Sequence, residues 1–301
     1  DIERVLQATR AINIPSNEEI LDVFPKEFII DDQKGIKQPL GLTGVRLQAK
    51  VILLCYFQSY FMNLTQAVLG AKLQIDDIIP SPLAAAKAVL TPQQKEIGVA
   101  LVDIGSSTTS LAVFEEGDLI HLAIFPLGSG NITNDIAIGL KTEVSIAEEI
   151  KRQHGTCVIT ENGKKKIEVL DKSYPLSFTK KNLVDIIEPR VSEIMDLMQK
   201  ELKAIGRQEQ LPGGVVLTGG GVKLPRIKEL VKHQLKLPCH IGTPKGMIGL
   251  QDDPALATVT GLVLEGIDSE YSEMSSILKL PFGFVKGWGG KFRRMFRVFI
   301  P

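Results

Sequence analysis

Three short stretches of this chain carry residue types, at spacings, that could bind a phosphorylated ligand. In "VALVDIGSSTTSLAVF" an apolar run ends in Asp103, turns through Gly105, Ser106, Ser107 and Thr108, and resumes as a second apolar run. Backbone N–H groups at such a turn can surround phosphate oxygens, and a carboxylate at a strand end can hold a Mg²⁺-bound water. In "GVVLTGGGVKLP" an apolar run meets Gly219, Gly220 and Gly221 ahead of a helix-like segment, so a nucleotide can lie against bare backbone there. In "AEEIKRQHG" Glu148, Lys151 and Arg152 fall on adjacent turns of one predicted helix and could flank an adenine and its ribose. Each stretch alone also has an ordinary reading, as a polar hairpin turn, a loop or a solvated helix face. Two glycine-rich strand ends in one chain favour the ligand.

These residues need strands and helices to hold them. From Ile97, three apolar runs joined by "GSS" and "EGD" predict a β-meander that ends in "PLGSGN", and an alanine-rich helix in "SPLAAAKAVLTP" precedes it. The first 75 residues predict a small α+β unit: a helix at the start, strands in "EEILDVFPKEFII" and "RLQAKVILLC", and a helix over Ser59–Gly70. Beyond the meander a more polar stretch predicts an inserted subdomain, with a helix in "EVSIAEEIKRQHG" and two strand-like runs around the Asn-Gly of "CVITENGKKKIEVLD". A helix over Lys181–Ile205, the buried strand before the three glycines, a helix over Leu224–Leu235, a strand at "CHIG" and a helix near Pro254–Gly266 follow. Residues 267–281 are Ser-rich and read as a linker.

Composition narrows the field. With 301 residues, 44% of them hydrophobic and 23% charged, the chain is long enough for two or more subdomains. A formal charge of zero hides an asymmetry: residues 274–301 hold six Lys/Arg and no acid, against 29 basic and 35 acidic residues before them. That split argues against a nucleic-acid surface on the body and for an anionic partner at the tail. Three separate cysteines give neither a disulfide framework nor a zinc knuckle, and Cys239-His240 has no further ligand in the sequence nearby. No apolar run is long enough to span a bilayer, and no signal peptide opens the chain. The chain starts at an Asp and enters a helix-like segment at once, so an N-terminal part is expected to precede it.

The tail itself is two-faced. At helical spacing Phe282, Val285, Trp288, Phe292, Met295, Phe296 and Phe299 share one side, while Lys286, Lys291, Arg293, Arg294 and Arg297 share the other, with Val298 an exception on the basic side. This is the pattern of a helix lying in a membrane interface, aromatics in the acyl boundary and cations on anionic headgroups. Gly287, Gly289 and Gly290 disfavour helix, so it is expected to start near Gly290 and to form on the lipid. The competing reading is a terminal helix docked on the body.

Taken together, the D-x-G-x-x-T hairpin, the Ala-rich helix before it, the E-x-x-K-R helix after it and the late L-T-G-G-G loop resemble the actin-like ATPase superfamily. Within it, "VFPKEFIIDDQKGIKQPLGLTGVRLQAKV" looks like the insertion subdomain peculiar to the FtsA family of bacterial cell-division proteins. The resemblance runs from end to end of the chain. It implies an α/β actin-like (ribonuclease H-like) fold with a family-specific α+β insertion subdomain and a C-terminal amphipathic helix. The division expected is an insertion subdomain at 1–75, a connecting helix at 76–96, a nucleotide-binding core at 97–132 and 183–266, an inserted subdomain at 133–182, a linker at 267–281 and a membrane-targeting helix at 282–301.

Carried over by position, ATP and Mg²⁺ are the cofactors. Asp103 would orient the metal through a bound water, and Gly105, Ser106, Ser107 and Thr108 would form the second phosphate loop. Gly128 and Gly130 would be the superfamily's next glycine pair, and Glu148, Lys151, Arg152, Gly219, Gly220 and Gly221 would enclose the adenosine. The helix near Ala257 and Gly261 would be a hinge. The superfamily's first phosphate hairpin is not in this sequence, so the chain as given supplies half a nucleotide clamp. Ser81 stands where related ATPases carry a Glu or Gln that orients the attacking water, which implies slow hydrolysis or none. The chain is then a binding and assembly protein first. The implied partners are the tail peptide of the tubulin-like FtsZ, met by Lys181, Asn182 and Arg190, neighbouring copies met through residues 25–44, and anionic lipid at the cytoplasmic face of the membrane. The alternative is an enzyme of the same fold, a sugar kinase or a chaperone-type ATPase.

Overall fold

The computed structural model describes residues 1–159, 166–170, 175–249 and 252–278. At its centre is a five-stranded mixed sheet built from β4 (Val99–Ile104), β5 (Thr109–Glu115), β6 (Asp118–Phe125), β9 (Val215–Thr218) and β10 (Cys239–Ile241). Its strand order is β10-β9-β4-β5-β6. The meander pairs are antiparallel, whereas β9 lies parallel to both β4 and β10.

Both faces of this sheet are buried, and alternate residues of one strand serve different cores. Ala100, Val102 and Ile104 of β4 join Leu111, Val113, Val215 and Leu217 in the larger cluster. Val99 and Leu101 face the other way, with Ala112, Phe114 and Val216. A continuous apolar run such as "VALV" is what a strand covered on two sides requires.

Helices cover the larger cluster: α5 (Ser129–Leu140), α6 (Val144–His154), α7 (Lys180–Ala204) and α8 (Ile227–Leu235). On the other face lie α3 (Ser81–Val89) and the start of α9 (Ala257–Leu278). These two helices cross so closely that a Cβ on Gly261 would sit 1.7 Å from the Ala84 carbonyl oxygen. Between α3 and β4, α4 (Pro92–Ile97) starts at a capping box made by Thr91 and Gln94.

The N-terminal unit is a separate three-stranded sheet, ordered β2-β1-β3, of β1 (Glu18–Ile30), β2 (Gln33–Ile36) and β3 (Leu47–Phe57). Its own core gathers Leu6 of α1 (Ile2–Ala8), Phe28 and Ile36. Pro25 lies where the β1–β3 register shifts, which is where a strand tolerates a missing N–H. The helix that follows is α2 (Gln58–Gly70).

Several sequence expectations change. Residues 129–140 form α5, which runs through the expected boundary at 132/133, and its Ile132 and Ile136 belong to the same cluster as the sheet. The strand-like run before the Asn-Gly is no strand over its described residues 157–159. Instead β7 (Lys166–Leu170) pairs antiparallel with β8 (Pro175–Thr179). The Ser-rich stretch read as linker is helical as far as Leu278, since it holds no Gly or Pro between Gly266 and that residue.

Candidate functional site

Asp103 is the penultimate residue of β4, beside Thr218 of the parallel strand β9, so both glycine-rich stretches emerge at the C-terminal ends of these two central strands. Its half-buried carboxylate accepts a hydrogen bond from Thr258 Oγ1 of α9 at 3.2 Å. Burial pushes the Asp103 carboxyl above its ordinary value, and the Thr258 hydrogen bond offsets only part of that.

The turn after Asp103 is closed by Gly105 N–H donating to the Thr108 carbonyl at 2.9 Å, and it leaves Ser106, Ser107 and Thr108 exposed. The first turn of α5 lies directly on it. Ser129 N–H donates to Gly105 O at 2.9 Å and Gly130 N–H to Ser106 O at 2.7 Å. Glycine is required for this approach: a Cβ on Gly128 would stand 2.5 Å from Ser106 O, and one on Gly130 2.9 Å from it. Gly128 and Gly130 are thus brought to Gly105 and Ser106, with the N-terminal end of α5 at the turn.

The three glycines after β9 differ from one another. Gly219 has a φ of +89°, and a Cβ there would meet Asp103 Oδ1 at 2.3 Å. A Cβ on Gly221 would meet Ile104 Cγ2 at 2.5 Å, while one on Gly220 would meet nothing within 4 Å. The first and third glycines press this loop against the end of β4, and the middle one faces open space. A cleft of about 430 Å³ opens beyond the third glycine, lined by Lys223, Arg226, Ile241 and Thr243 among others, and by none of the residues singled out in the sequence.

On α6 the three expected adenosine contacts part company. Arg152 is exposed and Glu148 is partly so. Lys151 is buried, and its ammonium reaches Glu148 Oε2 at 2.6 Å, Thr133 Oγ1 at 2.7 Å and the Ser129 carbonyl at 3.0 Å. Helical spacing alone put it on a ligand-facing surface, but the packing of α6 on α5 turns it inward. Burial works against the Glu148 charge, yet hydrogen bonds from Lys151 and Thr133 hold its carboxyl below the ordinary range.

The three residues expected to meet a partner do not converge. Lys181 and Asn182 are exposed at the start of α7, and Asn182 is the reciprocal partner of Thr179 in a capping box. Lys181 and Arg190 stand about 180° apart at regular helical spacing. The Arg190 guanidinium is engaged in a bidentate pair with Asp135 of α5, at 2.6 and 2.9 Å, and also with Glu193. Ser81, the first residue of α3, is exposed. Trp288, Lys291, Phe292, Arg293, Arg294, Met295, Phe296, Arg297 and Phe299 lie outside the described residues.

Sequence reasoning missed Thr258, Thr133, Ser129 and Asp135. Each supports a residue distant in the chain, Thr258 across 155 positions and Asp135 across 55, and none stands in a pattern that marks it.

Comparison with known proteins finds the family model "Cell division protein FtsA" on residues 100–261 and "SHS2 domain inserted in FTSA" on residues 1–55. The cell division protein FtsA of Pseudomonas aeruginosa is 37% identical over 281 residues, which cover 91% of this chain and 67% of that protein. FtsA of Bacillus subtilis is 37% identical over 266 residues, covering 87% and 60%, and FtsA of Escherichia coli K12 is 33% identical over 301 residues, covering 96% and 72%. The chain therefore spans about two thirds of the length of these relatives, from 60% to 72%. Among solved structures, MreB5 of Spiroplasma citri bound to ADP aligns with a TM-score of 0.59 at 17% identity, over 72% of this chain and 68% of that one. The PilM–PilN type IV pilus biogenesis complex aligns with a TM-score of 0.64 at 20% identity, over 88% and 71%.

Proposed function

The chain belongs to the FtsA family of cell division proteins and has the actin-like fold, and from that premise we propose that it binds ATP and ties FtsZ filaments to the cytoplasmic face of the membrane at the division site. The observation that carries the nucleotide half is the set of glycine contacts at the C-terminal ends of β4 and β9. Gly128 and Gly130 admit the α5 N-terminus to the Ser106 turn, Gly219 admits its loop to Asp103, and Gly220 stays open. MreB5, of the same fold, was solved bound to ADP and to AMPPNP.

In this proposal Ser106, Ser107 and Thr108 meet the phosphates, helped by the positive end of the α5 dipole. Arg152, Glu148 and the open face of Gly220 would meet the base and ribose. Among the described residues no three His, Cys, Asp or Glu side chains gather as a metal cage. A single carboxylate, Asp103, fits Mg²⁺, which keeps waters and takes further ligands from phosphates. When bound, the ion would supply charge neutralisation at the phosphates. Ser81 offers a hydroxyl and no base, so turnover is slow or absent and the nucleotide acts as a structural or switching ligand.

The membrane half rests on the sequence of residues 282–301, whose basic and aromatic faces suit anionic headgroups. Among the described residues no helix is long and apolar enough to cross a membrane. Weak attachment per tail suits subunits that self-associate, through residues 25–44, because assembly multiplies the hold. On α7, Lys181 is the exposed cation for an acidic FtsZ tail, and Arg190 can take part by exchanging Glu193 for a partner carboxylate while keeping Asp135.

Sedimentation with vesicles of anionic and of zwitterionic lipid tests the attachment. The full chain should pellet with the anionic vesicles alone, and deletion of residues 291–301 should release it. An unchanged bound fraction after that deletion refutes the tether.

A further inference from the structure

We propose that Lys151 is a positioning residue that fixes the phosphate-binding turn, and that it does not itself touch the nucleotide. The inference rests on the nucleotide reading above and departs from the role that position alone gave this residue. An ammonium has three N–H donors. Here they meet Glu148 Oε2 at 2.6 Å, Thr133 Oγ1 at 2.7 Å and Ser129 O at 3.0 Å, so none is left for a base or a ribose hydroxyl. The side chain is 9% exposed, which leaves a ligand no route to the amine without breaking those bonds.

What the three bonds hold is specific. Ser129 and Thr133 are in the first two turns of α5, and Lys151 therefore pins that end of the helix to α6. From the same turn, the Ser129 and Gly130 amides donate to Gly105 O and Ser106 O, at 2.9 and 2.7 Å. A continuous path runs from the Lys151 amine through the α5 backbone into the turn expected to hold phosphate. A cation at the N-terminal end of a helix opposes the helix dipole. Glu148 neutralises it, so Lys151 acts by holding position rather than by attracting the phosphates.

The test compares the full chain with Lys151→Met and with Thr133→Val, which removes one acceptor of the ammonium, together with the hydroxyl that donates to Glu148, and keeps the lysine. Two readouts are needed: amide hydrogen exchange at Ser129 and Gly130 in the ligand-free protein, and affinities for Mg·ATP and for adenosine. Expected are exchange at both amides faster by about tenfold or more in Lys151→Met and an ATP affinity lower by about tenfold, the scale of one lost hydrogen bond to a charged group. Adenosine affinity should change by less than about threefold, since it has no phosphate to place. Thr133→Val should move the same readouts in the same direction by less, and it serves alone if Lys151→Met does not fold. Equal loss of ATP and adenosine affinity overturns the proposal, because it would mean contact with the nucleoside. Unchanged exchange at Ser129 and Gly130 overturns it as well. A wild-type chain that binds neither ligand counts against the nucleotide reading, and exchange at the two amides then judges Lys151 by itself.

Discussion

Thr258 of α9 donates its hydroxyl to the Asp103 carboxylate at the end of β4, at 3.2 Å and across 155 positions of sequence. Through this bond α9 reaches the residue proposed to orient the metal. No cation partners Asp103 among the described contacts, and its carboxyl is raised by burial.

The pH dependence of stability follows from that raised value. Below the ordinary carboxylate range Asp103 is protonated in both folded and unfolded chains, and its burial costs no charge. As pH rises through the folded value, the folded state must bury a carboxylate, and this contribution to stability is lost. Asp103→Asn should therefore raise the ligand-free melting temperature at pH 7 and leave it unchanged near pH 3. An Asn variant no more stable at pH 7 than the parent would contradict the burial argument.

Neighbouring glycines should separate folding from binding. Gly219→Ala adds a Cβ at a left-handed φ, 2.3 Å from Asp103 Oδ1, and should destabilise by at least ~2 kcal/mol. Gly220→Ala adds one where nothing lies within 4 Å and should cost less than about 0.5 kcal/mol. It should nevertheless weaken ATP binding, because the added methyl stands on the open face. Denaturant unfolding and ATP titration of the two variants check this, and a large stability loss in Gly220→Ala would refute it.

The crossing of α3 and α9 gives the most sensitive position. Gly261→Ala would place a methyl 1.7 Å from the Ala84 carbonyl oxygen, so the helices must separate. A loss of about 3 kcal/mol or more is expected, the upper end for overpacking. The control Gly266→Ala, on the same helix with nothing within 4 Å, should be neutral or stabilising.

Arg190 and Lys181 should respond differently. Arg190→Ala strands Asp135, a quarter exposed, and should destabilise by about 1–3 kcal/mol. Lys181→Ala, at an exposed site, should leave stability within about 0.5 kcal/mol and weaken binding of an acidic FtsZ tail peptide. Unchanged peptide affinity in Lys181→Ala would remove this residue from the contact.

What was legible in the sequence follows from locality. The β4–β5–β6 meander showed itself because unbroken apolar runs met unmistakable turn residues, and the β9 loop because three glycines are rare. Helix α5 did not, since "SGNITNDIAIGL" is poor in strong helix formers. Its formation depends on burying Ile132 and Ile136 against distant strands. Charge misled the reading of α6: a Lys beside a Glu and an Arg looks solvated, and only the packing of α5 shows that one of the three points inward. The strand partner of β7 was misplaced because an Asn-Gly pair outweighed the plainer run "PLSFT".

The alternation in β4 bears also on how the sheet finds its alignment. Since Val99 to Val102 are apolar toward both clusters, sliding the strand by one step would exchange one greasy neighbour for another at small loss. Such a slide cannot hide the charge at the tip, which would be dragged between hydrocarbon walls with no partner waiting. Asp103 therefore marks the strand like a graduation on a ruler: the observed alignment is the one that leaves the acid proposed to hold a cation at the tip.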